Sequence, residues 1–167
     1  MLSECELKEL VGSEALQQCQ KAALRLLSYR PRSETEMRER LGRRFTGDVV
    51  EAVVLQLGQK GMVDDSAFAT FWTENRQQFS PRSKRLLKRE LKQKGIAPEL
   101  IDESLDGVDD GESAYQAAKK RGRGMLGEYD AFRRRMGAFL GRRGFSYDVI
   151  SSTVERIWRE SNTPSSA

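Results

Sequence analysis

Between Arg82 and Ile101 the sorting of apolar and cationic positions is at its clearest. Leu87 and Leu91 stand four apart, on one face of a helix. Arg85, Lys88, Arg89 and Lys92 fall at i, i+3, i+4 and i+7 on the opposite face. Ser83 is placed to cap this helix through its hydroxyl, and Gly95 follows Lys94 where a left-handed stop residue belongs. Pro98 then suits the first turn of another helix, whose apolar side is Leu100, Ile101 and Leu105. The unit is a helix with an apolar belly and a cationic back, then a stop, then a short helix.

The same plan recurs on both sides. Residues 1–14 carry four glutamates against Lys8 and read either as an acidic arm or as a short helix. Ala15 to Ser28 is predicted as a helix from Ala23, Leu26, Leu27 and Arg30, and Pro31 stops it. Ser33 and Glu36 form a capping box for a helix reaching Arg44, with Met37 and Leu41 as its apolar stripe. Gly47 and Asp48 open a third helix buried through Val50, Val53, Val54 and Leu57, with Gly58 and Gly61 at its end. Asp64 and Asp65 cap a helix with an apolar face of Phe68, Phe71, Trp72 and Phe79. After the turn-rich acidic segment 106–111, Ala114, Ala117 and Ala118 face inward. Asp130 is placed to cap a helix carrying Phe132, Met136, Phe139 and Leu140, and Ser146 to cap a last one lined by Ile150, Val154, Ile157 and Trp158.

These elements superpose at a spacing of about 50 residues. Leu41, Leu91 and Leu140 take one position, Met37, Leu87 and Met136 another, and Phe45, Ile96 and Phe145 follow the stop. Asp48, Glu99 and Asp148 sit in the first turn of each third helix, where a negative charge suits the helix dipole. The expectation is an all-α fold: a tandem array of three three-helix repeats, elongated and curved. The acidic arm or short helix spans 1–14, the repeats 15–63, 64–110 (with the acidic linker) and 111–160, and 161–167 is a disordered tail.

Composition narrows the chemistry. The 167 residues are 38% hydrophobic and 32% charged, with net charge +4 and no histidine. Without histidine the commonest general base and metal ligand are missing. Cys5 and Cys19 lack other soft ligands and read as incidental thiols. Adjacent Asp64 and Asp65 lack a third ligand in phase, so a helix cap explains them better than a metal. No phosphate-binding loop, nucleotide fingerprint or activated nucleophile is present. A non-enzymatic binder without cofactor or metal is expected. No membrane-spanning run occurs and the N-terminus has the wrong charge for a signal peptide, so a cytoplasmic, monomeric protein is expected.

Charge is unevenly shared. Residues 33–44 hold four arginines against three glutamates, net +1, whereas 83–94 and 132–143 are each net +5. The candidate residues for contact with an anionic partner, DNA phosphates or an acidic protein surface, are therefore Arg82, Lys84, Arg85, Lys88, Arg89, Lys92 and Lys94 in the second repeat, and Arg133, Arg134, Arg135, Arg142 and Arg143 in the third. Lys119, Lys120 and Arg121, with Arg123, form another cluster, either a mobile phosphate-contacting loop or a polar helix end. Gly124 to Gly127 has GxxG spacing without the strand and helix alternation of a nucleic-acid clamp. Phe68 and Trp72 have the spacing of core residues, as do Phe145 and Trp158.

Four motifs in order resemble those of the RecX proteins, bacterial regulators of the RecA recombinase. They are Ala23-Leu24-x-Leu26-Leu27-x-x-Arg30-x-Arg32-Ser33-Glu34-x-Glu36-Met37, Val63-Asp64-Asp65-x-x-Phe68-Ala69-x-x-Trp72, Glu90-Leu91-x-x-Lys94-Gly95-Ile96 and Arg142-Arg143-Gly144-Phe145-Ser146. Two departures stand out: Gln78 to Pro81 replaces a basic, glycine-containing turn, and the first repeat lacks the stop glycine of the other two. The resemblance implies tandem three-helix repeats and a modulator that binds RecA filaments on DNA, usually inhibiting ATP hydrolysis, strand exchange and co-protease activity, in DNA repair and the SOS response. The partners implied are the RecA filament and the phosphates of single- or double-stranded DNA. The alternative from the residues alone is a stand-alone DNA-binding protein of helix-turn-helix style.

Overall fold

A computed structural model describes residues 1–122 and 127–163. Among them are nine α-helices and no strand: α1 (Glu4–Tyr29), α2 (Glu34–Leu41), α3 (Gly47–Gln59), α4 (Asp65–Phe79), α5 (Lys84–Gln93), α6 (Pro98–Leu105), α7 (Asp110–Gly122), α8 (Tyr129–Arg142) and α9 (Tyr147–Asn162). None is long and apolar enough to cross a membrane.

Helix starts follow the local chemistry. Ser3 with Glu6 and Ser33 with Glu36 form reciprocal capping boxes at α1 and α2. The Ser83 and Ser146 hydroxyls accept from the backbone N–H groups of Leu86 and Val149. The acidic arm and the first helix are one element, because the Ser3 capping box starts a helix that runs unbroken to Tyr29. α2 stops at Leu41, short of Arg44, and Gly58 lies inside α3 while Gly61 takes the left-handed conformation after it. Asp130 does not cap α8: Glu128 is the N-cap residue, without a side-chain bond, and Asp130 lies in the first turn.

The chain divides into two compact units, one of residues 1–71 with 92–100 and the other of 72–91 with 101–167. In the first, α1, α2 and α3 pack on one another around Cys19, Ala23, Met37, Leu41, Val50, Val53, Val54, Leu57 and Val63. In the second, α7, α8 and α9 enclose Ala114, Ala117, Ala118, Phe132, Met136, Leu140, Phe145, Val154 and Ile157. Met37 and Leu41 of one core thus match Met136 and Leu140 of the other, as the superposition of the repeats requires. Cys5 is exposed, Cys19 is buried, and both are free thiols.

The face of α4 departs from the pattern. Phe68 is buried at 1% exposure, Phe71 and Trp72 are half-buried, and Phe79 is 68% exposed. Periodicity places these residues on one side of a helix but does not set what that side meets, and Phe79, the last residue of α4, is left uncovered. Trp72 is held by its neighbours: its indole N–H donates to Glu90 at 2.8 Å and the Arg76 guanidinium covers its ring at 4.4 Å.

The stop glycines are required twice over. Gly95 and Gly144 have φ of +76° and +87°, which L side chains rarely adopt. Each also presses on the first turn of another repeat's second helix. A Cβ at Gly95 would collide with Thr35, and one at Gly144 would lie 2.9 Å from Leu86 Cβ. The adjoining backbone is bonded across the same joints: Ser33 Oγ donates to the Lys94 carbonyl at 2.7 Å, and Ser83 N–H to the Arg143 carbonyl at 3.0 Å.

Candidate functional site

α5 displays the cationic back that its spacing predicts. Leu87 and Leu91 are fully buried, and Lys84, Arg85, Lys88, Arg89 and Lys92 are exposed. Lys88 pairs with Asp102 at 2.8 Å, but both side chains are more than half exposed, so the pair contributes little. Arg85 reaches the Gly144 carbonyl at a marginal 3.5 Å. The side chains of Lys84, Arg89 and Lys92 make no hydrogen bond or ion pair among the described residues.

Two residues at the ends of this stretch have other work. Arg82 is ion-paired with Glu90, which also accepts from Arg76 and Trp72 and is 12% exposed. Lys94 donates to Glu36 at 2.6 Å, and Arg30 approaches the same carboxylate at 2.8 Å. Burial alone would raise the Glu36 carboxyl, but the hydrogen bonds and charges of Arg30 and Lys94 outweigh it and hold it at about 2. Arg82 and Lys94 thus serve the protein's own joints.

The third repeat separates its arginines similarly. Arg135 and Arg142 are exposed and make no side-chain hydrogen bond or ion pair among the described residues. Arg133 and Arg134 line a groove of about 470 Å³ that also contains Asp130 and Glu155, so its charge is mixed. Arg143 donates to Ser80 Oγ at 2.6 Å and to the Pro81 carbonyl at 3.2 Å, and lies 4.7 Å over the Phe139 ring. Its guanidinium is pushed down by burial and then by the charges of Arg121 and Arg76, although arginine stays protonated throughout the working pH range.

Of the cluster at the end of α7, the described residues lie on the helix. Lys119, Lys120 and Arg121 occupy its last turn, where cations suit the dipole. Lys119 lies 5.8 Å over Tyr115, Lys120 donates to the Gln78 carbonyl, and Arg121 lies 5.5 Å over Phe139. Lys120, Arg121 and Arg143 surround a pocket of about 140 Å³ that Phe79 and Phe139 complete, a grouping that adjacency in sequence does not reveal. Arg123 and the Gly124 to Leu126 part of the GxxG spacing lie outside the described residues, as does 164–167 of the expected tail.

Asp64 and Asp65 each act as a cap. Asp64 accepts from the Ala67 N–H of its own helix at 3.1 Å, and Asp65 from the Glu34 N–H at the start of α2, at 2.9 Å. Asp109 and Asp110 repeat the arrangement, accepting from Glu112 and from Lys84 at 2.7 Å each. No group of three or more metal-ligating side chains occurs among the described residues. The arrangement on α5 and α8 can hold guanidinium and ammonium groups outward for phosphate or carboxylate partners.

Comparison with known proteins places the chain in a family. Residues 19–57, 64–105 and 109–154 match the first, second and third three-helix domains of RecX. A protein of Chlorobium phaeobacteroides named regulatory protein RecX is 35% identical over 138 residues, covering 82% of this chain and 91% of its own. Another so named, from Mycolicibacterium vanbaalenii, is 34% identical over 153 residues and covers 83% of each chain. The crystal structure of RecX from Lactobacillus salivarius is similar in fold, with a TM-score of 0.67 at 22% identity, covering 87% of this chain and 97% of that one. Three domain matches in order, together with relatives above 30% identity over most of their length, establish that this chain belongs to the RecX family of regulatory proteins.

Proposed function

We propose that this protein is a non-enzymatic regulator of the RecA recombinase that binds RecA filaments on DNA and slows their ATP hydrolysis, and with it strand exchange and co-protease activity. It would act as a monomer in the cytoplasm, in DNA repair and the SOS response. The observation that carries the reading is the exposed cationic face of α5, where Lys84, Arg89 and Lys92 have no anionic partner among the described residues. Arg135 and Arg142 add a second such surface on α8. Cations without acidic neighbours release counterions when they meet phosphates, which favours a DNA-bearing partner. Three tandem domains, with bounds near 15–63, 64–110 and 111–160, give several contacts to a filament made of repeating subunits.

The test is RecA ATP hydrolysis on single-stranded DNA, followed with rising amounts of this protein. The expected result is a saturable fall in rate. An unchanged rate at saturating protein overturns the reading. Tight, sequence-dependent duplex binding without recombinase would point instead to a stand-alone DNA-binding protein.

A further inference from the structure

The second helix of the first repeat, residues 33–44, is only net +1 in sequence, yet its charges are sorted in space. Glu34 and Glu51 both pair with Arg38, at 3.2 and 2.8 Å, and Glu36 is held by Arg30 and Lys94. Between α1 and the end of α2 this leaves a groove of about 500 Å³ lined by Lys21, Arg25, Tyr29, Arg40, Arg43 and Arg44, with no carboxylate among its described lining residues. All five cations are exposed, and none makes a side-chain hydrogen bond or ion pair among the described residues. Tyr29, in the last turn of α1, is 70% exposed. Phe45, the large apolar ring of the groove, already lies 5.4 Å beneath the Arg44 guanidinium. The groove therefore joins exposed charge and a free phenol face to an apolar floor of Ala22, Leu26, Leu41 and Phe45.

We propose that this groove binds a single strand of nucleic acid, with its phosphates against Arg40, Arg43 and Arg44 and one unstacked base on the Tyr29 ring. Five like charges along one groove repel each other, and a phosphate chain relieves that repulsion. An exposed aromatic beside such a groove selects a single strand, because only an unstacked base has a face to offer. The site uses none of the residues of the cationic faces of α5 and α8 and needs no recombinase.

The test is fluorescence anisotropy without recombinase, using a labelled thymidine oligomer and an abasic phosphodiester oligomer of equal length across a salt series. Every substituted position is exposed and lies outside the buried core. An Arg40→Glu/Arg43→Glu variant is expected to bind both oligomers about tenfold more weakly, with the log affinity against log salt slope shallower by about 1.4. Tyr29→Ala is expected to lose about tenfold on the thymidine oligomer and nothing on the abasic one. Unchanged affinity and slope in the double variant overturns the proposal, as does an equal loss on both oligomers in Tyr29→Ala. Sedimentation tests the competing occupant, the acidic start of α1 from a second copy with its exposed Leu7, Leu10 and Val11. A parent that self-associates, and a double variant that is monomeric with unchanged DNA affinity, also overturns it. Failure of the RecA hydrolysis assay leaves this outcome untouched, since no recombinase is present.

Discussion

Glu36 illustrates how single residues in this protein act as joints. Its carboxylate, 9% exposed, takes Arg30 on one side and Lys94 on the other, while its oxygen also accepts from the Ser33 N–H at 3.3 Å. The folded carboxyl is held near 2, below its ordinary 4.5. A depressed acid stabilises the fold above its unfolded value, and that contribution is lost as pH falls through the folded one. Stability should therefore decline from about pH 4.5 toward pH 2, by on the order of 3 kcal/mol from this group. Glu36→Gln should be less stable at pH 7 and flatter across that window in urea titrations at stepped pH. An unaltered pH profile in the variant would remove Glu36 as the source. Glu90 gathers Arg76 and Arg82 in the same manner, which is why a strongly basic stretch contains cations committed to packing.

Among elements, the recurring device is an aspartate pair at the start of a helix. The first member caps its own helix and the second caps the second helix of the preceding repeat: Asp65 for α2 and Asp110 for α5. Each also places negative charge at a positive helix end. Asp110→Ala should destabilise by about 1 kcal/mol, the usual loss for a cap. It should also accelerate hydrogen exchange at the Lys84 amide, while Asp109→Ala should do so at Glu112. Equal exchange at Lys84 in parent and variant would deny Asp110 its role across repeats. The capping serines Ser33, Ser83 and Ser146, the stop glycines Gly95 and Gly144 and the buried methionine and leucine stripe were legible in the sequence, because their local signals lie within about one helical turn. The aspartates' second targets were not, since Glu34 and Lys84 lie 31 and 26 residues away.

At the level of the molecule, pairing of charges decides which surface is available. Residues 83–94 carry net charge +5, yet Arg82, just before them, and Lys94 within them serve internal contacts, leaving Arg89 and Lys92 as the clearest outward charges. Reversing both, as Arg89→Glu/Lys92→Glu, should weaken binding to single-stranded DNA and reduce the salt slope by about 1.4, at roughly 0.7 per lost phosphate contact. Affinity measured from low to high salt checks this. A parallel loss of the RecA effect would tie this face to the regulatory role, and an unchanged slope would show that α5 does not meet phosphates.

The sequence by itself determined the helices, the caps at Ser33, Ser83 and Ser146, the stops at Gly95 and Gly144, the threefold repeat and the stripe of residues that forms each core. All of these follow from contacts between near neighbours along a helix, where spacing fixes which side chains share a face. It did not determine that the acidic arm would join α1, that Phe79 would stay exposed, or that Lys120, Arg121 and Arg143 would meet around one pocket. Nor did it separate the cations that hold the protein together from those left for a partner. Ser33 finds Lys94 across 61 residues and Arg143 finds Ser80 across 63. Pairings at such separations depend on how the helices pack, and only the tertiary structure decided them.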